Sequence, residues 1–251
     1  MHILSPAIVL SVRAHGEHGA VARALTPEDG VQPGYVRGGR SRALRPVLQP
    51  GNRVRGEWRA RTDSQLAALT VELVESCAPL YTEPLPAAAI EWVSALTVTT
   101  LPEGQPYRTL YDALGAMIAA VAAAPAARGW AGLVARYELL VLAELGFGLA
   151  LDVCVVTGAR VDLSFVSPRS GGAVSRMAAN GYEARLMPLP PFLANGGEAP
   201  DWPSIFDAFA VTGHFIERDL MTGRAAEALA GRERLLERLR RAAGWGMGSG
   251  A

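Results

Sequence analysis

Tyr35-Val-Arg-Gly-Gly-Arg-Ser-Arg-Ala-Leu-Arg-Pro-Val-Leu-Gln-Pro-Gly-Asn-Arg-Val-Arg-Gly-Glu-Trp58 is the stretch from which the rest of the chain is read. It sets Arg37, Arg40, Arg42, Arg45, Arg53 and Arg55 around glycines and between strand-like runs, with no acid before Glu57. Gln49-Pro-Gly-Asn52 is a strong turn signal. After it, Arg53, Arg55, Arg59 and Arg61 alternate with Val54, Gly56, Trp58 and Ala60. Alternation of period two puts the arginines on one face of a strand and Trp58 on the other, so Trp58 is expected in a core rather than as a stacking platform. Gly38-Gly39 lets backbone come close to a phosphate. A one-sided row of guanidinium groups is an electrostatic groove for a single nucleic-acid strand.

Working outward, residues 1–75 read as short strands broken by turns. Ala7–Arg13, Ala20–Leu25, Val31–Val36, Arg53–Arg61 and Leu66–Leu73 are strand-like, with His15-Gly-Glu-His-Gly19 and Thr26-Pro-Glu-Asp-Gly30 as turns. Five short strands with Gly/Pro turns predict a small barrel, and the OB-fold is the five-stranded barrel that binds oligonucleotides. From about Leu85 the period becomes helical, over Ala87–Thr100 and Thr109–Ala124. Trp130, Leu133, Val134, Tyr137, Val141 and Leu145 then follow the spacing of a buried helix face. Residues 153–178 read as a strand-and-turn insert, and Pro203–Met221 and Ala225–Arg241 as two more helices. The expected class is α+β: an OB-fold barrel over 1–80, a helical domain over 81–243, and a disordered tail over 244–251.

The formal net charge of the 251 residues is zero, yet the first quarter differs from the rest. Residues 1–62 carry ten arginines against four acids, a balance of +6, which the remainder offsets with −6. Such asymmetry points to a nucleic-acid or acidic-membrane partner. All 24 basic residues are arginine. Lysine-dependent chemistry, a Walker-type phosphate loop or a Schiff base, is therefore excluded. The longest apolar run, Ala113–Ala127, contains Pro125 and falls short of the ~20 residues that span a bilayer. With no signal-peptide pattern and only Cys77 and Cys154, the cytoplasm is the expected location.

Other motifs weigh little. His15 and His18 flank Glu17 at a hairpin tip without a third ligand nearby, and His214 stands alone on a helical segment. Gly146-Phe-Gly148-Leu-Ala-Leu151 begins like a dinucleotide loop but follows a helix and ends in Leu. No nucleophile elbow or metal-ligand cluster is present, so neither catalysis nor a cofactor is expected.

Several segments together resemble the bacterial recombination mediator family RecO. In the first third these are Ala7-Ile-Val-Leu-Ser-Val-Arg, Gly16-Glu, Arg37-Gly-Gly-Arg-Ser and Leu48-Gln-Pro-Gly. Further on they are Tyr137-Glu-Leu-Leu, Glu144-Leu-Gly-Phe-Gly-Leu, Cys154-Val-Val-Thr-Gly, Phe165-Val-Ser-Pro-Arg-Ser-Gly-Gly and Leu189-Pro-Pro-Phe-Leu. The resemblance implies an OB-fold followed by a helical domain, single-stranded DNA binding and annealing of complementary strands. It also implies work with RecR in loading the RecA recombinase onto DNA covered by single-strand-binding protein. Some family members carry a zinc ribbon in the insert. Its four ligand positions fall here on Cys154, Thr157, Ser175 and Ala178, of which one is a thiol. A ribbon shape without zinc is expected, held by Val155, Leu163, Phe165 and Val174.

The expected DNA-binding set is Arg37, Arg40, Arg42, Arg45, Arg53, Arg55 and Arg59. Two alternatives remain from the residues alone: an adaptor whose barrel docks an acidic protein partner, and an RNA-binding OB protein.

Overall fold

A computed structural model describes residues 1–62, 65–124, 126–196 and 199–245, with only the backbone described for Asn195 and Arg224. Contacts divide the chain into two compact units, Met1–Ala122 with Ala230–Leu235, and Ala123–Leu229 with Leu236 onward.

In the first unit, β1 (His2–His15), β2 (Gly19–Thr26), β3 (Gly30–Val36), β4 (Arg53–Arg59) and β5 (Ala68–Glu75) close into a barrel in the order β1-β2-β3-β5-β4. This is the expected OB architecture. β1 starts five residues before Ala7 because it pairs with β4 from His2 to Ile8 and with β2 from Ile8 to His15. A strand that serves two neighbours has to bend, and the bend is a bulge between Val9 and Ser11. At the last seam, β3 and β5 are joined through the parallel pair Tyr35 and Ala68.

The period-two pattern holds inside. Ala7, Val9, Ala22, Ala24, Val54, Trp58 and Leu69 fill the barrel. Ile8 and Leu10, of opposite parity on β1, are buried as well. The reason is that α1 (Pro84–Thr100) packs on β1, while Gly115 of α2 (Arg108–Ala123) comes up to Ile8. Trp58 is fully buried, as expected of a core residue. Two glycines make room for its indole. A Cβ on Gly56 would stand 2.3 Å from the ring, and one on Gly34 2.9 Å from the ring nitrogen.

The second unit is built on α3 (Arg128–Glu144) and α6 (Trp202–Phe215). The buried face of α3 differs from the expected one. Leu133 is exposed, and Ala131, Ala135, Glu138 and Leu142 are inside with Trp130, Val134, Tyr137 and Val141. Glu138 explains the shift. It is fully buried and accepts a hydrogen bond from the Thr212 hydroxyl of α6, so a partnered carboxylate holds a core position that apolar spacing does not flag. A π turn, Ile216–Leu220, follows α6, and a 3-10 turn, Gly223–Ala228, precedes α7 (Leu229–Ala242). At the end of α7, Gly244 takes φ 77° and the Trp245 N–H donates to Arg240 O, a Schellman closure. The Trp245 ring then stacks on Phe206, with centroids 4.7 Å apart. Residues 246–251 of the expected tail lie outside the described residues.

The insert is a four-stranded sheet, wider than 153–178. It contains β6 (Ala150–Cys154), β7 (Leu163–Val166), β8 (Gly172–Ser175) and β9 (Met187–Pro188) in the order β6-β8-β7-β9. The short α4 (Arg176–Ala179) follows β8, and α5 (Pro191–Asn195) follows β9. Cys154, Val174 and Ala179 form its centre, with Ala159, Leu163, Phe165, Ala178 and Leu186 against them. Val155, expected in this packing, is 51 % exposed, because β6 ends at the buried Cys154 and Val155 opens the turn that follows. The Ser175 N–H donates to Cys154 Sγ at 3.3 Å. Burial opposes ionisation of this thiol, but hydrogen bonds from Thr157 and Ser175 outweigh it and bring the pKa down to about 6. One thiol with Thr, Ser and Ala does not make a tetrahedral zinc site, so these four positions do not fit a zinc ion.

Two outcomes follow from this packing. Gly56→Val forces its side chain into the Trp58 ring and should cost ~1–3 kcal/mol in denaturant unfolding followed by circular dichroism. An unchanged midpoint would contradict the tight Trp58 seat. Introducing three thiols by Thr157→Cys, Ser175→Cys and Ala178→Cys should bring bound zinc to one equivalent by elemental analysis. Failure to gain zinc would mean that the four positions do not converge.

Candidate nucleic-acid interface

The basic segment between β3 and β4 is not strand but a wound loop, pinned at both ends. At its start, Gly38 takes φ 67°, where glycine carries no side-chain penalty, and the Gly39 N–H donates to Val36 O. Gly39 lies so close to Ala20 that a Cβ would stand 2.8 Å from the alanine methyl. The Arg40 N–H donates to His18 O and its guanidinium to Glu17 O, which ties the loop to the β1–β2 hairpin. Helical turns then run through Arg45 N–H to Ser41 O and Leu48 N–H to Leu44 O, with Ser41 Oγ accepting from the Leu44 N–H.

At its far end the loop is held by Asn52, which is fully buried. Its amide donates to Pro46 O at 2.7 Å and Val47 O at 3.0 Å, and its side-chain oxygen accepts from the Cys77 N–H at 2.8 Å. The Cys77 thiol donates to Gly51 O and the Tyr81 hydroxyl to Pro50 O. Burial, reinforced by the nearby charge of Glu75, pushes Cys77 up to about 11, and burial pushes Tyr81 up too. Both groups therefore keep the protons they donate. Asn52 was read from sequence only as a turn residue; its clamp depends on chain 25 residues away.

This scaffold presents Arg37, Arg40, Arg42 and Arg45, all exposed. Arg40, Arg42 and Arg45 line one groove of about 620 Å³ with Val12, Leu48 and Pro50. Arg37 lines a neighbouring depression across the Gly38–Gly39 turn. Among the described residues no carboxylate pairs with any of these four.

The outer face of β4 is different in character. Arg53, Arg55 and Arg59 share it as expected, but Glu57 is in the same row. Hydrogen bonds from His2 and then Arg59 hold the Glu57 carboxyl below its usual range. Arg53 is half-buried, 3.5 Å from Glu75, and its guanidinium reaches over Gly115. Arg55 stays exposed, although its register partner on β5 is Glu72. Three of the seven expected arginines are thus gathered in one groove, a fourth flanks it, and the β4 trio is interleaved with acids.

The barrel order, its wound basic loop and the helical unit that follows define an OB-fold protein with a basic loop on its barrel. Two family models cover most of the chain, Recombination protein O N terminal over residues 1–77 and Recombination protein O C terminal over residues 84–224. The chain belongs to the RecO family. It is 43 % identical over 239 residues to the DNA repair protein RecO of Rhodospirillum centenum, covering 94 % of each chain. It is 41 % identical over 238 residues to that of Rhodospirillum rubrum, covering 93 % of this chain and 94 % of the relative. The Rhizobium etli protein of the same name is 44 % identical over 230 residues, covering 90 % of this chain and 88 % of the relative.

Proposed function

We propose that this protein acts in DNA repair and recombination by binding single-stranded DNA on the basic loop of its barrel. The observation that carries the reading is the groove lined by Arg40, Arg42 and Arg45, whose guanidinium groups pair with no carboxylate among the described residues. Arginine meets phosphate through a planar fork of donors, and a fixed loop spends little entropy in doing so. Membership of the RecO family supports the repair and recombination role. The same reading assigns annealing of complementary strands, with the loop screening repulsion between them, and a part with RecR in loading RecA onto DNA coated by single-strand-binding protein. Catalysis has no place in it. Among the described residues, no helix is long and apolar enough to cross a membrane.

Arg40→Ala, Arg42→Ala and Arg45→Ala together should weaken binding to a bare oligothymidylate. Each lost phosphate contact lowers the slope of log affinity against log salt by ~0.7, so the triple variant should flatten it by about 2. Unchanged affinity and slope would exclude the groove as the binding surface. Glu57→Gln releases Arg59 and His2 from a carboxylate, so it should raise affinity at low salt and steepen the slope. A loss of affinity in that variant would count against an electrostatic role for the β4 face.

A further inference from the structure

The depression beside the basic groove has a chemistry of its own. It measures about 660 Å³ and is lined by Tyr35, His15, Leu66, Ala68, Gly19 and Arg37. Barrel closure assembles it from three places: the β1–β2 hairpin, the end of β3 and the entry to β5. Tyr35 is held there by its backbone, which donates to Ala67 O at 2.8 Å and pairs with Ala68. Its ring is backed by the main chain of Gly19. A Cβ at that position would stand 2.4 Å from the ring, so only glycine lets the tyrosine lie there. The His15 ring meets Tyr35 edge-on, with centroids 5.8 Å apart. Leu66 adds an apolar wall that is 48 % exposed. Among the described lining residues the one carboxylate, Glu17, faces His18 at 3.7 Å.

We infer that this depression takes an unpaired nucleobase of the bound strand, stacked on Tyr35. The inference rests on the single-strand reading of the neighbouring groove. A fixed aromatic ring beside an apolar wall is what a base face needs, and stacking tolerates any sequence because every base offers a π-face. Phosphate chemistry lies within one turn of it. Arg37 and Gly38 line the base depression, while Gly39 and Arg40 line the arginine groove. A strand can therefore lay its backbone on Arg37, Arg40, Arg42 and Arg45 and turn one base toward Tyr35. A base held in a duplex offers its neighbours, not its face, so the pocket favours unpaired DNA.

The full-length protein is titrated with an oligothymidylate and with an abasic strand of the same length and phosphate charge. The oligothymidylate should bind roughly tenfold more tightly. Tyr35→Leu and, independently, Leu66→Asp should remove most of that preference without weakening the abasic strand to the same degree, whereas Tyr35→Phe should keep it. Equal binding of both strands by the unaltered protein, or a preference that survives Tyr35→Leu and Leu66→Asp, would overturn the base pocket while leaving the phosphate groove in place. Binding of neither strand would overturn both.

Discussion

The Asn52 side chain is the constraint on which the interface depends. One buried amide satisfies two carbonyls of the basic loop and one N–H of the chain leaving β5. The Cys77 N–H would otherwise be a buried donor without a partner, at a cost of ~1–3 kcal/mol, and the two loop carbonyls are part-buried. The backbone of Asn52 accepts from the Val9 N–H, next to the bulge where β1 changes partner. Barrel closure, bulge and loop placement thus meet at one residue. Four mutually repelling arginines can be kept in a fixed array because the loop beneath them is hydrogen-bonded from below. On the proposed reading, a bound polyanion would relieve their repulsion without movement of the loop.

Zero net charge is reached by separation rather than by even mixing. In the first unit, cations are paired with acids, as in Arg59 with Glu57, Arg53 with Glu75, Arg23 with Glu103 and Arg108 with Glu28. Exposed pairs of this kind contribute little to stability. Their effect is to quieten most of the barrel surface, leaving the wound loop as the cationic feature beside the Tyr35 depression. Local density, rather than the total, decides where a polyanion lands.

Much of this was legible in the sequence because it follows from local rules. Period-two alternation put Trp58 inside and Arg53, Arg55 and Arg59 outside, and Gly/Pro turns marked the hairpins of the barrel. What stayed hidden depends on pairing between distant residues. That Glu57 binds His2, and that Arg53 leans on Glu75, requires the β1–β4–β5 register. Glu138 lies outside the apolar spacing of α3, and its core position depends on Thr212 coming to it from another helix. Val155 looked like core because it is apolar, yet its neighbour Cys154 takes the inward position. The Tyr35 depression could not be read at all, since its walls are brought together only when β3 meets β5. One signal was present: Gly19 directly after the His15–His18 turn, where a small residue marks a close approach.

Amide hydrogen exchange over the whole protein, with and without a short oligothymidylate, shows most directly where a strand lies. Slowed exchange over Arg37–Leu48 and over the His15–Gly19 hairpin is expected on binding, with little change in α3 and α6. Protection confined to α7 or to the β6–β9 sheet, with the Arg37–Leu48 loop unchanged, would contradict the basic loop as the DNA-binding surface.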